Sequence, residues 1–219
     1  MKTGIAPMPQ ACLLAIIAGY ADAVGFLKYD TFAGLMTGNT IFLGIAVSNG
    51  KFGAAFFQFF IIAVFTAGVI LTRVFLRVLG RPWIPMSLVS VLLIVCGFLR
   101  RDIAAPVLAL AMGIQNSAAN RFNGIALNTV FITGNLQKLG EGLLHWAWPP
   151  KERDGKAEGV AIFALVWLGY AIGAGLGAAS YKHMVYPLLL PAAALPFVAL
   201  MIGTFPSPWR RALQKIGVG

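Results

Sequence analysis

An aspartate, Asp22, lies in the apolar run from Ala11 to Leu27, and two identical triplets, Thr37-Gly38-Asn39 and Thr133-Gly134-Asn135, break other apolar stretches 96 residues apart. A carboxyl group inside a membrane-like segment can carry a proton, pair with a cation or anchor a neighbouring element. In each triplet the threonine is read as a helix cap, the glycine as a point of close approach, and the asparagine as an amide donor and acceptor beside the new helix's free N–H groups. Two such helix starts near mid-membrane form a partly positive polar site for an anion, a carboxylate or a small neutral solute. Gln115 and Asn116 add a second polar break. The alternative role for all these residues is structural, with glycine packing and polar side chains holding helices together.

Other chemistry is poorly supplied. Cys12 and Cys96 stand in apolar runs without CxxC spacing, and His145 and His183 each stand alone, so neither a disulfide nor a metal site is expected. Within the spans there is no HExxH, Ser/His/Asp arrangement or convergent carboxylate pair, so an enzyme is disfavoured and no cofactor is expected. The glycine-rich run Gly169 to Ser180 lacks a preceding strand. Gly169, Gly173 and Gly177, at intervals of four, instead predict a small face for helix packing.

The elements that position these residues follow from composition. The 219 residues are 59% hydrophobic and 11% charged, with a mean hydropathy of +0.82, which excludes a soluble domain and requires an integral membrane protein. Apolar runs at about Ala11–Leu27, Phe52–Thr72, Trp83–Leu99, Ile103–Ala119, Val160–Tyr181 and Val185–Thr204 predict six spanning helices. From Gly38 to Asn49 a helix would rise only about 18 Å, roughly half the hydrocarbon thickness. The second triplet's segment carries Thr129, Thr133, Asn135, Gln137, Lys138 and Glu141 and cannot face lipid as a span. Both triplet segments are therefore read as broken or re-entrant, with eight spanning helices as the alternative.

The net charge of +10 is spread between the spans, which argues for the positive-inside rule rather than for nucleic-acid binding. With re-entrant triplet segments the 17 Lys and Arg residues divide twelve to five, against ten to six with Lys138 left in the bilayer if all eight elements cross. Both termini are then cytoplasmic. The first segment, with Ala21-Asp22-Ala23 at a cleavage-like position, is read as a span and not as a signal peptide, because it belongs to a repeat. In that repeat Leu35–Asn39 aligns with 131–135, and, with two residues inserted, Gly19–Ala23 aligns with Gly113–Ser117, setting Asp22 against Asn116. The fold expected is all-α and polytopic, a single membrane domain over 1–219 with halves at about 11–99 and 103–205. Residues 149–159 form a solvated loop. A basic amphipathic tail over 206–219, centred on Pro208 to Gly217, lies on headgroups.

The blocks "GYADAVGF" with "LMTGNTIFLG", and "GIQNSAANR" with "FITGNLQKLG", resemble the YoaK-like family of bacterial membrane proteins, over most of the chain. The resemblance marks Asp22, Thr37, Gly38, Asn39, Gln115, Asn116, Thr133, Gly134 and Asn135, with Arg121 where a basic residue is usual. It implies a bacterial inner-membrane location and supplies no substrate. The function expected from the residues is transport or channelling of a small solute, with a membrane scaffold as the competing reading. The partners expected are lipid and that solute, with self-association left open.

Overall fold

The computed structural model describes residues 7–81, 83–118, 121–122, 125–126, 132–148 and 160–204. They form α1 (Pro7–Tyr29), α2 (Met36–Ser48), α3 (Phe52–Leu79), α4 (Trp83–Phe98), α5 (Arg101–Ala118), α6 (Ile132–Ala147), α7 (Val160–His183) and α8 (Leu189–Thr204). Two short strands, β1 (Arg121–Phe122) and β2 (Ile125–Ala126), pair antiparallel between α5 and α6. The protein is an all-α polytopic membrane protein. Within α1, α3 and α7, the stretches Met8–Tyr29, Phe52–Leu79 and Val160–His183 are long and apolar enough to cross a bilayer. The expected loop over 149–159 and the tail over 206–219 lie outside the described residues.

Helix ends follow from local chemistry. Asp30, at φ 55°, and Gly80, at φ 61°, take the left-handed conformation just past α1 and α3, and their N–H groups close on Phe26 and Leu76. Gly50 ends α2 in the same way, with Gly50 and Lys51 donating to Val47 and Ala46, so α3 can begin two residues later.

Close backbone contacts fix how the long helices pack. Gly169, Gly173 and Gly177 of α7 meet the carbonyls of Cys12, Ile16 and Tyr20 of α1, and Gly19 of α1 meets the carbonyl of Tyr170. Both series rise together, so α1 and α7 run parallel. On the other flank Gly68 of α3 meets the Leu110 carbonyl, Thr72 donates to the Ile114 carbonyl at 3.5 Å, and Gly113 of α5 meets the Phe65 carbonyl. Here α3 and α5 run parallel.

Between these pairs, Gln115 reaches Leu14, Gly25 faces Leu108, and Arg101 binds Tyr29 and Asp30, so α1 and α5 run antiparallel. The core is built from Leu14, Ile17 and Val24 of α1, Leu108 and Met112 of α5, and Leu93 and Leu195 of α4 and α8. α4 and α8 are joined by the Ser90 hydroxyl, which donates to the Ala192 carbonyl at 2.7 Å.

Candidate functional site

After Asp30 the chain does not leave the bundle. The N–H groups of Gly34 and Leu35 donate to Asp22 Oδ1 at 2.6 and 3.2 Å. Asp22 is seven residues, or about 10 Å of helix, below the end of α1. The segment 30–35 therefore dips back to mid-helix depth, and α2 starts there. From that point α2 rises alongside the segment that brought the chain in. Asn39, wholly buried, accepts from Phe32 N at 2.8 Å and donates to Phe32 O at 2.8 Å. Gln58, near the start of α3, donates to the Asp30 carbonyl at 3.3 Å, which sets α3 beginning at the same end. The first triplet element thus returns to the end from which it entered.

The threonine-cap expectation is corrected here. α2 begins at Met36, its cap residue is Leu35 without a side-chain cap bond, and Thr37 is already inside the helix and exposed. The capping group comes from α1, because the carboxyl of Asp22 takes the two backbone N–H groups that precede the helix. A carboxyl also complements the positive end of α2's dipole. What approaches Gly38 is a side chain and not another backbone, since a Cβ there would stand 2.6 Å from a carbon of the Phe32 ring, and nothing lies within 4 Å of the position a Cβ would take at Gly134. That ring stacks on Phe26 and Phe42 at centroid distances of 5.0 and 5.8 Å.

The other oxygen of Asp22, Oδ2, accepts from the Tyr170 hydroxyl of α7 at 2.5 Å. Asp22 is 3% exposed and holds three donors from two elements. Thr31 Oγ1 lies 3.0 Å from Asn39 Oδ1 and 3.2 Å from Gln58 Oε1, and its single hydrogen serves one of them at a time. Asp22 and Asn39 are therefore joined through the segment between them into one polar lock.

In the second half, α6 packs on the start of α7, with Gly142 against the Val160 side chain and Lys138 Nζ 5.4 Å from the centre of the Phe163 ring. As α6 advances, its partners on α7 come earlier in the chain, so α6 ends where α7 begins, at the end of the bundle opposite to α2's exit. Asn135 is buried, while Thr133 and Gly134 are exposed. On α5, Gln115 is fully buried and donates through Nε2 to the Leu14 carbonyl at 2.9 Å. The buried oxygens Gln115 Oε1, Asn116 Oδ1 and Ser117 Oγ have no hydrogen-bond partner among the described residues. Nothing among the described residues bonds Asn116 to the lock around Asp22.

Three members of the lock were not marked by the sequence. Gln58 could have been, since an amide inside "FFQFF" is a polar break in a span. Thr31 sits among loop-like residues and carries no such signal. Tyr170 lies in the glycine-rich run, where a tyrosine reads as packing.

Residues 10–202 match the family described as "Protein of unknown function (DUF1275)". The chain is similar to UPF0700 transmembrane protein RA0705 of Rhizobium meliloti (strain 1021), 26% identical over 193 residues covering 83% of each chain. It is also similar to UPF0700 transmembrane protein YoaK of Bacillus subtilis (strain 168), 24% identical over 176 residues, which cover 74% of this chain and 78% of that one. No solved structure matches. With the match extending over nearly its whole length and the paired TGN blocks inside it, this chain belongs to the DUF1275 family of YoaK-like transmembrane proteins.

Proposed function

We propose that the protein moves a small solute across a bacterial plasma membrane, through a polar path between two halves of opposite topology, with both termini cytoplasmic. One observation carries the reading. A shift of 94 residues takes Ile16, Gly19 and Tyr20 to Leu110, Gly113 and Ile114, and a shift of 105 takes Tyr170, Gly173 and Gly177 back to Phe65, Gly68 and Thr72. Under those shifts the contacts Gly19–Tyr170, Gly173–Ile16 and Gly177–Tyr20 of α1 with α7 become Gly113–Phe65, Gly68–Leu110 and Thr72–Ile114 of α5 with α3. Because α1 and α5 run antiparallel, this supports inverted repeats, the arrangement in which transporters hold substrate near the midplane between broken helices. α2 and α6 are the broken helices of this reading, and Thr37, Thr133 and Gly134 are its exposed starts.

The test is flux. The full chain is reconstituted in liposomes and screened with small anions, amino acids, amines and amides. Saturable uptake above empty liposomes, lowered several-fold by Thr133→Val or Gly134→Leu, is the result expected. Uptake equal to that of empty liposomes across the panel overturns it.

A second reading, a membrane scaffold with structural polar residues, is favoured at one place. Asp22 and Asn39 spend their polar atoms on the chain itself. In that case Asp22→Asn changes the yield of folded protein and leaves nothing to transport.

A further inference from the structure

Resting on the transport reading, we infer that the solute carries an N–H group, a primary ammonium or an amide, and presents it to the last turn of α5 at Asn116 and Gln115. The two halves supply an internal comparison. Asp22 and Asn116 are equivalent under the 94-residue shift, yet Asp22 takes three donors and Asn116 Oδ1 takes none among the described residues. The tyrosine that completes Asp22 has Phe65 of α3 as its counterpart, so the hydroxyl that Tyr170 gives Asp22 has no equivalent for Asn116. Next to Asn116, Gln115 is 0% exposed and held by its bond to Leu14, which leaves Oε1 buried and unpartnered.

Buried acceptors without donors are rare and call for a partner. Consecutive helical residues point about 100° apart, so these two oxygens flank neighbouring sides of α5. They stand in its final turn, since α5 ends at Ala118, and a helix C-terminus is the negative end of its dipole. A group that completes amide oxygens there brings hydrogen-bond donors and tolerates positive charge. An anion meets the wrong sign. The carboxyl of Asp22 already occupies the matching place in the first half, so solute recognition is asymmetric: α1 holds its own re-entrant segment, and α5 holds the cargo.

Thermal unfolding of the purified full chain in detergent tests this with methylammonium, acetamide and their donor-free counterparts tetramethylammonium and N,N-dimethylacetamide. At several times Kd, a donor-bearing probe raises Tm by roughly 3 °C or more. The methylated counterparts do not. Asn116→Leu abolishes the rise, and Asn116→Asp, which keeps the acceptors, retains it for methylammonium; if the leucine variant fails to fold, Asn116→Ala replaces it. A response to methylammonium alone assigns an amine, and a response to acetamide alone assigns an amide.

Equal stabilisation by the methylated probes, no stabilisation by any probe, or a wild-type response in the folded Asn116→Leu or Asn116→Ala variant overturns the inference. The liposome assay separates it from the reading beneath. Saturable anion flux unchanged in Asn116→Leu keeps transport and sinks the N–H assignment, whereas Asn116-dependent stabilisation without flux of any solute keeps the site and sinks transport.

Discussion

Tyr170 donates its phenolic hydrogen to Asp22 across the contact between α1 and α7, 148 positions apart in the chain, while the other carboxyl oxygen holds the segment that leads into α2. One side chain thus fixes both a long-range helix contact and a local re-entrant turn.

Removing one of these links at a time separates them. Tyr170→Phe loses a single hydroxyl and is expected to lower stability by about 0.6–2 kcal/mol, between the average for bonds among membrane helices and that for bonds to ionisable groups. Asp22→Ala also strands the N–H groups of Gly34 and Leu35, each at about 1–3 kcal/mol, so its loss is larger. Unfolding of purified protein in mixed micelles ranks the two, and equal losses would mean that the backbone bonds contribute nothing.

Asn39 provides a sharper chemical contrast, because its amide both donates to and accepts from Phe32. Asn39→Asp keeps the acceptor and replaces the donor with an oxygen facing the Phe32 carbonyl. It is therefore expected to destabilise by at least as much as the roughly 1–3 kcal/mol of an unpaired buried group, despite its near-identical shape. Retention of wild-type Tm by that variant would show that the pairing is dispensable.

Glycine substitutions should divide by site. Gly173→Ala places a methyl group into the backbone of Ile16, and Gly113→Ala does the same at Phe65, so each costs about 1–3 kcal/mol or prevents assembly. Gly44 has nothing within 4 Å of the position a Cβ would take, and Gly44→Ala gains up to about 1 kcal/mol of helix propensity. Folded yield by size-exclusion chromatography is the readout, with a strong loss at Gly44 and none at Gly173 as the contrary pattern.

Topology is open to chemical labelling. With Cys12 and Cys96 replaced by alanine, single cysteines at Lys28 and Lys51 bracket the first triplet element. The returning path of residues 30–48 predicts that a membrane-impermeant thiol reagent reaches both from the same face of intact cells. Labelling from opposite faces would mean that α2 crosses the membrane.

Much of this architecture is legible in residue order. The six apolar runs mark α1, α3, α4, α5, α7 and α8, but among the described residues only α1, α3 and α7 hold stretches long and apolar enough to cross, and α3 runs on to Leu79, past the expected end at Thr72. The stripe Gly169, Gly173, Gly177 is a packing face because spacing by four leaves no side chain between two backbones. Asp22 stands out as a carboxyl among apolar neighbours. Its partners do not: two are backbone N–H groups without a sequence signature, and the third is a tyrosine across the bundle. Sequence points to Thr37 as the cap of α2 because a threonine near a helix start is the usual local solution. A carboxyl from another helix took that role, and only three-dimensional packing reveals such an override.

The pairing of α1 with α7 also sets a clock for biosynthesis. Ile16 is made 157 residues before Gly173, the glycine that packs on it, which at ribosomal rates is roughly 8 to 30 s. The partners of Asp22 Oδ1, Gly34 and Leu35, follow within thirteen residues, whereas Tyr170, the partner of Oδ2, comes 148 residues later. The face of α1 that receives the glycines stays open until most of the chain has been inserted. During that interval α1 needs a temporary neighbour, and a membrane insertase or lipid must shield it until the last long helix arrives.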